Sequence, residues 1–185
     1  MNEPLYAKLE EAAKRAKSRD DKAAAIIWTN VLVNAGMGAV PFGIDIWPCV
    51  ASNVTCIIVL GHLYGYTTSR EQAAGLIRQI FSAAGVTAVA GTLGAKFFTE
   101  VLKGVGIFPP GWFLGPLLAP LTVTGLALDA ILNGAISYAV GYTSKAFFSK
   151  GCTLEKAEMR EEFRARFEEG KAKVAAARKA KNTRS

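Results

Sequence analysis

The sequence predicts an all-α fold of glycine-rich helical hairpins, membrane-associated, with an amphipathic helix at each end. Three observations predict it. First, charge is confined to the ends: residues 1–22 carry 11 charged side chains and residues 145–185 carry 18, while the 122 residues between carry only 8. Ordinary globular chains are about 25% charged, so this middle lacks the polar groups that coat a water-exposed surface. Second, its uncharged runs have helix length: 22 residues from Ala23 to Ile44 and 24 from Ile46 to Ser69. At ~1.5 Å per residue the first would extend roughly 33 Å, about the thickness of a bilayer core. Third, proline and glycine punctuate these runs where helices must turn. The chain divides accordingly into an amphipathic charged segment (1–22), an apolar helical-hairpin domain (23–151) and a charged helix with a basic tail (152–185).

"PLYAKLEEAAKRAKS" (4–18) reads as an amphipathic helix. Leu5, Leu9 and Ala12 or Ala13 recur at helical spacing, and Pro4 suits a first turn. Asp20 and Asp21 then precede an alanine-rich start, as at a helix N-terminus. Asn30 and Asn34 lie one turn apart on the next helix and should face another helix rather than acyl chains. In "GAVPFGIDIWPCV" (38–50), Pro41 and Gly43 stop that helix, Asp45 can cap the following one, and Pro48 falls in its first turn. Capping is the structural reading of Asp45; binding by a turn acid is the other. Cys49 and Cys56 are seven residues apart on one helix, too far to bridge, and with Cys152 read as small hydrophobes in a reducing compartment.

Gly65 ends the second apolar helix, and Thr68 with Glu71 has capping-box spacing for the next. That helix, with Arg70, Glu71 and Arg78, is amphipathic. Past Gly85, Thr87, Gly91 and Ala95 form a small-residue stripe, and Pro109, Pro110, Pro116 and Pro120 break the chain into an interfacial or re-entrant loop. A long helix then runs from Leu121 to Phe148 with a narrow stripe of Thr122, Gly125, Asp129, Asn133 and Ser137. Asp129 is costly in lipid; it reads either as a hydrogen-bonding partner for a neighbouring helix, Lys96 or Lys103, or as a functional acid. Beyond Cys152, Thr153 can cap a helix on which Glu162 and Arg166 pair, and Phe163 and Phe167 share a face. After Gly170 the Lys/Ala/Arg tail is expected to fray.

Chemistry-bearing motifs are scarce. "GTLGAKF" has the wrong spacing for a P-loop, and "GMGAVP" lacks the third glycine of a dinucleotide loop. The single histidine, His62, argues against His-based catalysis and metal clusters. No catalytic residue, cofactor or metal is expected. The charged N-terminus, without a short apolar core and cleavage site, is not that of a secretory signal peptide. Net charge is +7, and residues 145–185 supply +6 of it, from twelve basic and six acidic groups. Lys171, Lys173, Arg178, Lys179, Lys181 and Arg184 form a run without an acid. It is either a solvated tail or a contact for anionic lipid, the simplest partner for a basic segment beside an apolar body; nucleic acid is not expected.

Residues 23–151 resemble a bacterial helical family without an assigned biochemical activity. Its domain is found behind Era-like GTPase domains and in YcjF-like inner-membrane proteins. The residues carrying the likeness are "AVPFGIDIWP", "YGY", "SAAGVTAVAGTLGAKFF", the proline break and "GLALDAILNGAISYAVGYTSKAFF". Asn53 stands where family members often have glutamine. The resemblance implies a membrane-associated helical module working beside a GTPase or another cytoplasmic partner, and it supplies no catalytic residue. The sequence thus reads as a non-enzymatic, homo-oligomeric scaffold, anchor or membrane-shaping module of the bacterial inner membrane. The clustering of Lys and Arg at both ends places both termini in the cytoplasm. Three rivals stand beside it: a soluble-to-membrane pore-former, a self-assembling soluble oligomer, and a membrane-embedded enzyme or proton path using Asp129 and His62.

Overall fold

A computed structural model describes residues 3–37, 47–85 and 123–183; the side chains at 37, 47–48, 123–129 and 181–182 lie outside that description. The described residues form six helices and no strand: α1 (Glu3–Lys14), α2 (Arg19–Met37), α3 (Trp47–Leu63), α4 (Arg70–Ala84), α5 (Val123–Ser149) and α6 (Lys156–Asn182). Among them no helix is long and apolar enough to cross a membrane. The full-length spans expected over α2, α3 and α5 are therefore not seen. In α2 the charged residues Arg19 to Lys22 belong to the helix itself, and the described part beyond them is 15 uncharged residues, about 22 Å. The third apolar segment, its small-residue stripe, the proline-rich loop and Asp45 fall outside the described residues.

Local rules explain the boundaries. Gly65, at φ 87°, ends α3. The amides of Gly65 and Tyr66 donate to the carbonyls of His62 and Gly61, the paired bonds of a Schellman motif. Gly151, at φ 71°, ends α5 in the same way, with Gly151 and Cys152 donating to Phe148 and Phe147. α4 starts one residue later than the expected capping box. Ser69 is the N-cap, its hydroxyl accepting from the Gln72 amide while the Gln72 side chain accepts from the Ser69 amide. Thr68 instead lies against Gly61 of α3. Thr153 does not cap α6 either: its hydroxyl donates to Lys150 O, and Glu158 reaches back to the Glu155 amide.

The core is one cluster running from Leu5 and Leu9 of α1 to Val174 of α6. α5 is its axis. Ile27 of α2 packs at Gly141 and Ala35 at Gly134, so α2 and α5 are antiparallel. α6 also runs antiparallel to α5, from the Lys150–Glu158 ion pair to Val174 against Gly134. Three glycines set these approaches. A Cβ at Gly141 would meet Ile27 at 2.9 Å, one at Gly134 would meet Val174 at 2.9 Å, and one at Gly170 would meet the Ala135 backbone at 3.1 Å. This corrects the fraying expected after Gly170. The helix continues to Asn182 because Gly170 lets it lie close on α5, Val174 is buried there, and the alanines favour helix. Phe163 and Phe167 are buried on the face expected, with Phe163 edge-on to Phe81 of α4.

Two glycine substitutions separate propensity from packing. Gly75→Ala in α4 meets no atom within 4 Å and is expected to raise stability by about 0.5–1 kcal/mol. Gly170→Leu, forced against Ala135 and Tyr138, is expected to lower it by about 1–3 kcal/mol. Chemical denaturation of the two variants beside the parent checks both signs.

Candidate functional site

The buried polar residues gather between α2, α3 and α5. Asn30 and Asn34 point inward from α2, Ser52 and Asn53 from α3, and Ser137 from α5, all essentially inaccessible to solvent. They bond one another. Asn34 Nδ2 donates to Ser137 Oγ at 2.7 Å, and Asn34 Oδ1 accepts from Ser52 Oγ at 2.6 Å. Asn53 Nδ2 donates to Cys49 O at 2.7 Å and to Ser137 Oγ at 3.2 Å, and Asn53 Oδ1 accepts from Asn30 Nδ2 at 3.1 Å. The helical face of α2 expected to meet another helix thus meets two. Asn133, one turn before Ser137, is buried with its side-chain oxygen unpartnered, as is the side-chain oxygen of Asn30.

The outward face of the same layer is apolar. On α2 the residues that keep some exposure are Ala24, Ala25, Trp28, Thr29, Leu32, Val33 and Gly36, of which Trp28 and Val33 also pack against the core. Leu32 is 51% exposed, the one large hydrophobic among the described residues to be so. The buried side of α2 combines Asn30 and Asn34 with Ala23, Ile26, Ile27, Val31 and Ala35, whereas a helix on the surface of a soluble domain normally turns charged or polar residues outward.

A second cluster clasps α6 to α5. Glu169 accepts from Tyr138 Oη at 2.8 Å, from Arg166 Nη1 at 2.8 Å and from Lys173 Nζ at 2.7 Å. The Lys173 ammonium, followed by Arg166 and Tyr138, holds the Glu169 carboxyl down to about 2, while burial pushes the Tyr138 phenol up to about 12. Arg166 lies over the Tyr142 ring at 4.8 Å and Lys173 over the Tyr138 ring at 5.2 Å. Trp28 of α2 touches Tyr138 edge-on, with ring centroids 6.3 Å apart.

The residues singled out in the sequence do not form one site. Asp45 lies outside the described residues. Asp129 falls within α5, but its side chain is outside the description. His62 is exposed at the end of α3, within 3.1 Å of Tyr6 Oη from α1. Cys49, Cys56 and Cys152 are free thiols. Lys171 and Lys173 pair with Glu168 and Glu169, whereas no ion pair engages Arg178 or Lys179 among the described residues. The Lys181 side chain and Arg184 lie outside the description. Among the described residues, no three His, Cys, Asp or Glu side chains are grouped to hold a metal. Sequence reading missed Ser52 and Glu169. The i,i+4 spacing of Glu169 with Lys173 was available as a signal, but nothing in the sequence marks Tyr138 as its third partner.

The profile of the family described as Domain of unknown function (DUF697) matches residues 7–172, and the chain belongs to that family. No match was found among curated proteins or among solved structures.

Asn53→Leu removes the acceptor for Asn30 and one donor to Ser137; the expected loss is about 1–3 kcal/mol for the group left unpaired. A double-mutant cycle of Asn34→Leu with Ser137→Ala is expected to show coupling of about 0.5–3 kcal/mol, read from thermal or chemical unfolding. Glu169 gives a pH test. Its folded pKa lies below the usual 4.5, so its contribution is complete above about pH 4.5 and is lost as pH falls towards 2. The side chain is 35% exposed, which reduces that contribution through solvent screening. Melting temperature followed from pH 5 to pH 2 is expected to fall less steeply in Glu169→Gln than in the parent.

Proposed function

We propose that this DUF697 protein is a non-catalytic, membrane-associated helical scaffold or anchor, held at the surface of the bacterial inner membrane beside a GTPase or another cytoplasmic partner. The observation that carries this reading is the uncharged length of α2 from Ala23 to Met37, with Asn30 and Asn34 bonded to neighbouring helices and Leu32 exposed on its outer side. Interhelical bonding by Asn and Ser with apolar residues facing outward is the packing of helices that meet lipid.

Charge placement supports the same reading. Asp20 of α2 pairs with Lys145 near the end of α5, and α1 adds charged residues beside them, so this end of the bundle suits water and a cytoplasmic protein. The opposite end receives Met37 at the close of α2 and Trp47 at the opening of α3, joined in sequence by residues 38–46, whose one charge is Asp45. The last part of α6 runs to that end and carries only basic charges after Glu169. Near an anionic surface each such cation contributes roughly 1 kcal/mol. Shallow association needs no helix of spanning length, and amphipathic elements with basic flanks bind in this way. The GTPase link and the cytoplasmic placement of both termini rest on the family resemblance and on the distribution of Lys and Arg. Self-association is part of the proposal, because close helix packing through small residues also serves contacts between copies.

The full-length chain is expected to sediment with vesicles containing phosphatidylglycerol, weakly with neutral vesicles, and less as salt rises. Recovery in the supernatant under all three conditions would reject membrane association. Crosslinking in intact cells with mass spectrometry then asks for a GTPase among the products; its absence would remove that partner while leaving the lipid reading in place.

A further inference from the structure

We infer that the polar seam between α2, α3 and α5 is a binding site for an internal water molecule, held between Ser137 Oγ and Asn30 Oδ1, which closes a hydrogen-bonded ring joining the three helices. Such a site stands apart from the membrane reading above, and neither depends on the other. Donors and acceptors in the seam do not balance without it. Ser137 Oγ accepts twice, from Asn34 Nδ2 at 2.7 Å and from Asn53 Nδ2 at 3.2 Å. Both lone pairs are then used, and only the hydroxyl proton remains to be placed. That proton meets no acceptor in the structure. It does not even turn to a carbonyl of its own helix, as Thr55 of α3 does in donating to Ala51 O at 2.9 Å. Asn30 has the opposite want. Its Nδ2 donates to Asn53 Oδ1 at 3.1 Å, while its Oδ1 receives nothing, in a residue that is 0% exposed.

Asn53 brings the two unmatched groups to one place. It donates to Ser137 through Nδ2 and accepts from Asn30 through Oδ1, so the serine and the asparagine flank a single amide. The bonds also run one way round. Asn30 donates to Asn53, Asn53 donates to Ser137, Ser137 has a proton to give, and Asn30 has an oxygen to receive it. A molecule that accepts from Ser137 and donates to Asn30 completes the circuit, and in a chain of this kind each bond polarises the next. Through direct bonds Asn30 is tied to α3 alone. Through the ring it is tied to α5 as well.

The same balance selects the occupant. A sodium or potassium ion cannot accept the Ser137 proton, and both lone pairs of that oxygen are already taken by amide N–H groups. A simple anion has no proton to donate to Asn30 Oδ1. An apolar occupant satisfies neither group. Water accepts from one and donates to the other, and it is the ordinary partner of buried polar groups that the chain itself leaves unmatched.

Crystallography of the full chain, at a resolution that shows bound water, is the direct test. A peak within about 2.7–3.2 Å of both Ser137 Oγ and Asn30 Oδ1 is expected. A Ser137 hydroxyl turned onto Asn133 O, or an Asn30 oxygen bonded to a protein donor, with no peak between them, would overturn the inference. An anomalous signal at that point in crystals soaked in rubidium chloride would put a cation there and overturn it equally. In solution, oxygen-17 relaxation dispersion counts waters held for longer than the protein takes to tumble, and it is blind to exchanging hydroxyl protons. Asn30→Leu and Ser137→Ala each remove one anchor, and each is expected to lower the amplitude by one water. An unchanged amplitude in a variant that still melts cooperatively would reject the ring. Should neither variant fold, the unaltered chain still decides: absence of any long-lived water from its dispersion would exclude the site.

Discussion

The hydrogen bonds joining Asn34, Ser52, Asn53 and Ser137 are the constraint on which the described arrangement depends. A buried amide left without partners loses about 1–3 kcal/mol, so α2, α3 and α5 have little freedom to slide. A shift of one residue on any of them would turn its polar side chains away from the others. The glycines at 134 and 141 act on the same fit from the steric side: they bring α2 close enough to α5 for Asn34 to reach Ser137. Polar bonding and close approach therefore specify one register together, and neither would suffice alone.

That constraint also explains the surface. With Asn30 and Asn34 committed to the interior, the less buried side of α2 is left without a charge from Ala23 to Met37, with Leu32 its exposed large side chain. Fold and proposed function are linked here by a conservation of side chains: the residues that fix the register are not available to solubilise the surface.

α6 is held differently. Its first half is anchored by buried aromatic residues, Phe163 and Phe167, and its second half by the bonds of Glu169 and by Val174. Glu169 sits at the boundary between the acidic and basic parts of the helix, and it serves both as ion-pair partner and as acceptor for the Tyr138 phenol. The basic part is thus an ordered helix rather than a diffuse tail.

Much of this was legible from the order of residues. Helix content followed from uncharged runs bounded by proline, glycine and acidic first turns. The inward orientation of Asn30 and Asn34 followed from their one-turn spacing, and the Phe163–Phe167 face from theirs. These are local properties, decided within a few residues of the chain by helical periodicity and terminal hydrogen bonding. The sequence could not decide which neighbour each face would meet. Ser52 and Ser137 are separated by 85 residues and share Asn34 only because two helix packings coincide. Gly170 looked like the end of order but is the point at which α6 comes nearest to α5, since a missing side chain breaks an isolated helix and admits a packed one. Thr68 and Ser69 were equally good caps by type, and the contact of Thr68 with Gly61 chose between them. Length and hydropathy foretold spanning helices. Among the described residues no helix is long and apolar enough to cross a membrane, and which partners bury the Asn and Ser groups depends on tertiary contacts rather than on the composition of any one segment.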